Sequence, residues 1–547
     1  RMGSTESKHT TSPTTSSASS SLVDPEGELS GQTTEFGGTR VSRQPSNAST
    51  IETESTSLLL KNGNSNTNPN PDCAFESEIW EDGGVVGMGA EVSNLLKNIV
   101  GSGGLSIPGG IACFGNAPSA LLPSIALIWV MGIANAYSFS LLGRICDATK
   151  SHTYSMAWER TVGRRYGRKY QLFVDSVVFG KAILGTWSFS IIIASTCTPL
   201  VRYGFDDENH LSALANGDSN NDDFSAESQS PAFVLGTITL FVLLPLCLSQ
   251  RLGSLSLFSA IGTLGTCVTI ATMIIRFLDG TYSEGGQFYD DLLPTQRPSF
   301  GTDKGASTFF TSMKSLTLVS ILSTGFVAHY NAPKYYFELN NRTTVQFDIV
   351  VSFGFLLAAI TYSVVAALGF LTFGQNSSGF ILDNYSYRDP LATVARFGVA
   401  VSVIFAYPLL FHGGRDGLMA LLETLFSSPN TPFVVGGDTT SGAMRTTGSY
   451  SRTESKTVTV LLLFAVTALA IYVNDLTFVL SFSGATMSSL IIYIFPPIMF
   501  SALVKNLGCG PKNNCVDREV ELGYVIMIAG ATLGIAGACV SVERAFF

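Results

Sequence analysis

Two stretches of the chain combine residue types and spacing that weaken a helix and free its backbone polar groups. The first is Gly101-Ser102-Gly103-Gly104, followed by Pro108-Gly109-Gly110. Glycine and proline at this density weaken a helix. If the helix unwinds at Gly101–Gly104, backbone N–H groups point into the gap, and the positive end of the next half-helix would hold a carboxylate. Small residues also serve close helix packing. A packing seam, however, does not need three glycines and a serine in four positions followed by Pro-Gly-Gly. No Lys-Ser or Lys-Thr follows, which disfavours a phosphate loop. The second stretch is Ser323-Thr324-Gly325 with Phe326, His329, Asn331 and Pro333. It too sets polar groups and a breaker pair inside an apolar segment.

The elements that must position these residues are membrane helices. Charged residues make up only 13% of the 547 and hydrophobic residues 46%, with 37 Phe and 53 Gly. The mean hydropathy is +0.31. A soluble chain carries about 25% charge to cover its surface. The net charge of −9 argues against a broad nucleic-acid binder. The nine cysteines are scattered, with no zinc spacing and no disulfide framework. From Met88 onward, eleven apolar stretches of spanning length follow one another: about 88–114, 119–142, 171–200, 231–248, 254–277, 309–336, 346–373, 390–411, 457–473, 476–502 and 520–541. Backbone at membrane depth must satisfy itself, so these are helices. The two interrupted stretches are spans 1 and 6. Breaks five spans apart predict two inverted halves, spans 1–5 and 6–10, with an eleventh added.

Residues 1–85 differ in kind. They are rich in Ser, Thr, Asn and Gly, with twelve acids against five bases, a net of −7. Such a segment cannot bury enough surface to offset its chain entropy and reads as a disordered cytoplasmic tail. It lacks a basic start followed by an apolar run, so it does not read as a signal peptide. Within it, Glu54 followed by Leu58-Leu59 matches the acidic dileucine pattern that sorts proteins to endosomes, lysosomes or vacuoles, and a trafficking adaptor would be its partner. Residues 86–547 form the transmembrane domain, with 412–456 a long cytoplasmic loop. The connection 143–170 carries Arg144, Lys150, Arg160, Arg164, Arg165, Arg168 and Lys169, so it is expected on the cytoplasmic side. That orientation sets the 374–389 loop outside, where Asn376 and Asn384 occupy glycosylation sequons. The sequon at Asn341 falls on the cytoplasmic side.

Individual polar residues within the spans have two readings each. Lys97 lies a turn before the glycines, where a charge costs about 2.5–3.5 kcal/mol on insertion scales. It reads either as a fixed or titrating cation replacing Na⁺ or as a snorkelling side chain. His329 could join proton coupling or bond a neighbouring helix. Lys181 and Asp175 are six apart, share no helical face, and must find partners on other helices. Ser402 and Tyr407-Pro408 suit a cation or substrate site or plain packing. Gly530 and Gly534 form a GxxxG pair. No HExxH, GxSxG or paired Asp motif occurs in the spans, so no catalytic site and no metal site is expected.

The run Leu95-Leu96-Lys97-Asn98-Ile99-Val100-Gly101-Ser102-Gly103, continuing through Leu105-Ser106-Ile107-Pro108, resembles the first helix of the amino acid/auxin permease family. Gly325-Phe326-Val327-Ala328-His329 with Pro333, Tyr336, Glu338 and Leu339 resembles its sixth helix. Ala366-Ala367-Leu368-Gly369-Phe370-Leu371-Thr372-Phe373-Gly374 is similar to the sodium-coupled neutral amino acid branch. The resemblance spans about residue 86 to the end. It implies a LeuT-like all-α fold, a 5+5 inverted repeat with an eleventh helix, and secondary transport of amino acids without a cofactor. The substrate carboxylate would meet Gly101, Ser102 and Gly103, and its amino group the backbone near Ser323, Thr324, Gly325 and Phe326. The co-transported ion, H⁺ or Na⁺, would be handled around Lys97, Asn98, Ser402 and His329. Lys97 stands where the sodium-coupled branch has an uncharged polar residue, and Val401 near its helix 8 threonine, with Ser402 adjacent. The Leu-Leu-Lys run instead resembles the proton-coupled branch. A membrane amino acid sensor signalling through the tail is the alternative, and a channel ranks third because the polar positions collect at two breaks rather than along a pore. Vacuolar or endolysosomal membrane and plasma membrane both fit.

Overall fold

The computed structural model describes residues 84–163, 168–216, 230–249, 256–426, 452–506 and 514–547. The tail with Glu54, Leu58 and Leu59, and most of the 412–456 loop, lie outside the described residues.

All eleven expected spans are helical among the described residues. Span 1 is Met88–Ile99, a 3₁₀ turn Ser102–Ser106 and Ile107–Ala112. Span 2 is Leu121–Thr149 and span 3 Arg168–Asn216. Span 4 runs Pro231–Ile238, Thr239–Leu243 and Leu244–Leu248 with a π turn in its middle. Span 5 is Ser256–Leu278. Span 6 is Ser315–Gly325, a 3₁₀ turn His329–Asn331 and Ala332–Glu338. Span 7 is Thr344–Phe373, span 8 Pro390–Phe426 and span 9 Arg452–Tyr472. Span 10 begins at Leu476–Ser483, passes two π turns and ends in Phe495–Asn506; span 11 is Asn514–Phe546. Eight of these helices are individually long and apolar enough to cross a membrane, so the protein is an integral, multi-pass membrane protein. Phe241, Phe353, Phe397, Leu461 and Ile535 are exposed, as helix faces turned to lipid should be.

The ends differ from the sequence expectation where polar residues still favour helix. Span 3 continues sixteen residues past the predicted end to Asn216, and span 8 runs into the predicted loop as far as Phe426. Apolarity marks the membrane, whereas a helix can extend beyond it. Span 6 starts later than predicted because Ala306–Thr311 forms a separate short helix, packed against the start of span 2. Local capping fixes several starts: Ser230, Thr343 and Asp475 accept hydrogen bonds from the N–H groups of Phe233, Gln346 and Phe478, the usual N-cap geometry.

Helix packing repeats with an offset of five. Span 1 packs on span 7 and span 6 on span 2; span 5 packs on span 8 and span 10 on span 3; span 9 packs on span 3 and span 4 on span 8. The pairs 2–7, 3–8 and 4–9, which map onto themselves, also touch. Five is odd, so the second half enters the membrane from the face opposite to the first. This is the LeuT-like inverted 5+5 repeat, with span 11 laid against spans 6 and 10. Span 10 comes close enough to span 6 that a Cβ on Gly484 would collide with the Ser320 carbonyl. That glycine also starts the first π turn.

Candidate functional site: the paired breaks of spans 1 and 6

Span 1 stops at Ile99. Val100 leaves helical geometry at φ −79°, ψ 72°, and Gly101 is extended at φ −96°, ψ −170°. The chain then re-enters through the Ser102–Ser106 turn, closed by Gly104 N–H to Gly101 O at 3.2 Å. As the first residues of that turn, Ser102 and Gly103 have N–H groups without a partner inside it. A Cβ on Gly101 or Gly103 would meet nothing within 4 Å, whereas one on Gly104 would lie 2.5 Å from the Tyr362 ring. The first two glycines therefore border open space, and the third admits the tyrosine.

Span 6 breaks slightly later than its polar residues suggest. Its first helix runs through Gly325, and the irregular residues are Phe326–Ala328. The hydroxyls of Ser323 and Thr324 are already engaged: Ser323 donates to Val319 O at 3.1 Å and Thr324 to Leu480 O at 2.8 Å. Phe326 is fully buried, stacked on Phe355 and edge-on to Tyr362. The free polar feature of this break is its backbone, as the last carbonyls of a helix have no partner within it.

Tyr362 of span 7 joins the two breaks. Its hydroxyl lies 2.8 Å from Ile99 O and 2.8 Å from Gly325 O. One hydroxyl has one proton to donate, so two carbonyls, one from each break, converge on a single donor. Beside it is a cavity of about 20 Å³ lined by Val100, Gly101, Tyr362, Ser402 and Thr266, among others. That volume has room for roughly one water-sized guest. Of the residues singled out from sequence, the structure brings Gly101 and Ser402 to this cavity and Gly325 to the shared tyrosine. Lys97 and Asn98 are half-buried on span 1 but do not line the cavity, and the Asn98 amide nitrogen is buried without a partner. His329 does not line the cavity. Its Nε2 donates to Asn135 O of span 2 at 3.1 Å, and its ring packs against Phe139 and Phe355. That is the arrangement of a helix-bonding histidine. Tyr362, Thr361 and Thr266 were not singled out; the Thr361-Tyr362-Ser363 run, which holds the only tyrosine of span 7, was the available signal.

Comparison with known proteins identifies the family. The family described as "Transmembrane amino acid transporter protein" matches residues 85–539. The chain belongs to this family. The transporter is 23% identical over 461 residues to a putative sodium-coupled neutral amino acid transporter 11 of Danio rerio, covering 84% of this chain and 88% of that one. It is 21% identical over 463 residues to amino acid transporter AVT6E of Arabidopsis thaliana, covering 82% of each. With solute carrier family 38 member 8 of Homo sapiens it shares 24% over 283 residues, 52% of this chain and 59% of that one. Among solved structures, MhsT in complex with L-phenylalanine matches with a TM-score of 0.44 and 12% identity, over 85% of this chain and 100% of that one. The protein is thus an amino acid transporter and not an enzyme.

Over the second half of span 1 the transporter carries a packed cap, residues 374–389. Ser378 O lies against Gly109, and Gly379 against Thr477. Arg396 of span 8, 2% exposed, donates to Leu382 O at 2.8 Å, Tyr385 O at 2.6 Å and Ser386 O at 3.2 Å. Arg276 of span 5 clamps Asp389 through two bonds of 2.9 and 2.6 Å, and Tyr282 donates to the same carboxylate. Burial pushes the Asp383 carboxyl up to about 7, against the pull of Arg396 and a hydrogen bond from Ser195. This packing corrects one sequence expectation. Asn384 is fully buried, with its amide bonded to Asn376 O and Gln296 O, so its nitrogen has no room for a glycan. Asn376 is half-buried and donates to Arg297 O at 2.9 Å; a glycan there would take the other hydrogen of that amide.

Proposed function

We propose that the protein is a secondary active symporter of neutral amino acids, working by alternating access with the substrate held between the broken spans 1 and 6. The observation that carries this reading is the convergence of both breaks on Tyr362. Unpaired N–H groups at Ser102 and Gly103 suit a carboxylate. Carbonyls at Ile99 and Gly325 suit an ammonium, which brings three donors where the tyrosine brings one. Gly101 and Ser402 beside a cavity of about 20 Å³ suit a small monovalent cation or a water. Lys97 has no ion-pair partner among the described residues, and an ammonium there would supply positive charge in place of Na⁺. The Danio rerio relative is named a putative sodium-coupled neutral amino acid transporter; Lys97 favours H⁺ for this chain. Glu54, Leu58 and Leu59 would bring a trafficking adaptor to the tail and favour a vacuolar or endolysosomal membrane.

The test is uptake of a radiolabelled neutral amino acid mixture into proteoliposomes under an inward H⁺ gradient, then an inward Na⁺ gradient. Concentrative uptake with H⁺ alone supports the reading with Lys97 as the sodium substitute, and Lys97→Asn should then weaken proton coupling. Uptake with Na⁺ alone keeps the symporter and removes the lysine argument. No uptake with either, from folded protein, overturns the transport reading in favour of a sensor.

A further inference from the structure

At the N-terminal end of span 1, Glu91 has a setting that transport of an amino acid does not require. Its side chain is 0% exposed. Oε2 accepts from Asn94 Nδ2 at 3.2 Å, and Oε1 is buried without any hydrogen-bond partner. No described residue forms an ion pair with it. The charges that act on it are Glu338 and Lys334 of span 6, which face each other at 3.8 Å, the lysine exposed and the glutamate half-exposed. Tyr335, on the same half-helix, donates its hydroxyl to Asn94 O at 3.4 Å. Span 7 packs on this helix as well, but its acid, Asp348, is bonded by Ser140 of span 2. Arg144 of span 2 is taken by Glu519 of span 11.

Glu91 is enclosed where span 1 meets the end of span 6, through Tyr335 and Asn94, and the chain just ahead of it closes onto that same end as a gate. Val86 N–H donates to Glu338 O at 3.0 Å, and Asn340 N–H to Val86 O at 2.9 Å, so residues 84–86 lie across the end of span 6. Gly84 is pressed against Leu339 O. A buried carboxylate without a cation or a full set of donors is strongly disfavoured, while the neutral acid is tolerated. Moving the first half of span 1 away from Leu339 admits water and removes that restriction.

We propose that Glu91 is a proton-binding site that ties closure of this gate to the pH of the face carrying the N-terminal tail. Closing takes one proton from that face and opening returns it to the same face. The site therefore sets the gate equilibrium and moves no net charge across the membrane. One proton bound by the closed state alone changes the open-to-closed ratio about tenfold per pH unit, with alkaline pH favouring the open gate. The inference rests on the alternating-access reading but not on the identity of substrate or ion.

The test uses the full chain in nanodiscs with Leu339→Cys as reporter, since Leu339 is fully buried in the closed gate. Labelling by an impermeant maleimide is followed from pH 6 to 8 and normalised at each pH to the unfolded chain, which removes the pH dependence of the thiol itself. With Glu91 present, normalised labelling should rise at least tenfold across the range. Glu91→Gln and, independently, Glu91→Ala should flatten the profile, and Glu91→Asp should keep it. A flat profile with Glu91 in place, or an unchanged rise in both the Gln and Ala variants, overturns the proposal. The assay contains no amino acid, so its failure leaves the transport reading intact, and failure of uptake does not decide it.

Discussion

Arg396 offers the sharpest test of how the cap over span 1 is held. Its guanidinium serves three carbonyls of residues 382–386 from a position 2% exposed. Replacement by Met keeps most of the apolar stem and removes every donor. Hydrogen bonds to a charged group contribute about 1.5–3 kcal/mol each, and a buried carbonyl left unpaired costs about 1–3 kcal/mol. These terms are not additive, since the cap can relax and the charged group no longer needs burying. Removing one side of a buried charged arrangement typically costs about 3–5 kcal/mol. At 1.4 kcal/mol per decade, the cap of Arg396→Met should open roughly 100- to 4,000-fold more often. Hydrogen exchange on the purified transporter reads this directly at residues 378–389, with spans 2 and 7 as the unchanged reference. Arg396→Lys should fall between, because one ammonium cannot serve three diverging carbonyls as a planar fork does. Protection in Arg396→Met within tenfold of the parent would refute the argument that this arginine holds the cap.

Three further outcomes follow from the same geometry. Asp383 has a carboxyl raised to about 7, above the ordinary value near 4, so its contribution to cap stability is fully present below that ordinary value and is lost as pH rises through about 7. Protection of the cap, normalised at each pH to the intrinsic exchange rate, should fall across that window and then level off, and Asp383→Asn should remove the dependence. Gly104→Ala would set a methyl group 2.5 Å from the Tyr362 ring, whereas Gly103→Leu enters open space; uptake should be lost in both, but only the first should lower thermal stability, as read by a melting curve in detergent. Tyr362→Phe leaves Gly325 O without its donor and Ile99 O with only the Gly101 N–H, which should cost about 1–3 kcal/mol and lower uptake; unchanged stability and uptake would remove Tyr362 from the site.

How much of this was legible beforehand depended on the range of the interaction. Eleven spans and two breaks could be read from the residues because apolar length and Gly-Pro density act within a few residues of themselves. Even so, the break in span 6 fell at Phe326–Ala328, just past the Ser323-Thr324-Gly325 that announced it. A helix tolerates serine and threonine whose hydroxyls bond its own carbonyls or a neighbour's, as Ser323 and Thr324 do. The sequons at Asn376 and Asn384 looked like features of a free loop, yet the loop is a cap packed by spans 5 and 8.

The sequence by itself determined the class of the molecule, the order of its spans, the two weakened helices and, through their motifs, the family. The tertiary structure alone decided what those breaks face. Tyr362 reaches carbonyls 263 and 37 residues away, Arg396 becomes the anchor of a cap, and Glu91 is an acid buried with one oxygen unpaired where span 1 meets span 6. Helix formation and membrane insertion follow from periodicity and hydropathy, which are local. Convergence of polar groups is set by which helix faces pack together, and that information is spread over the whole chain.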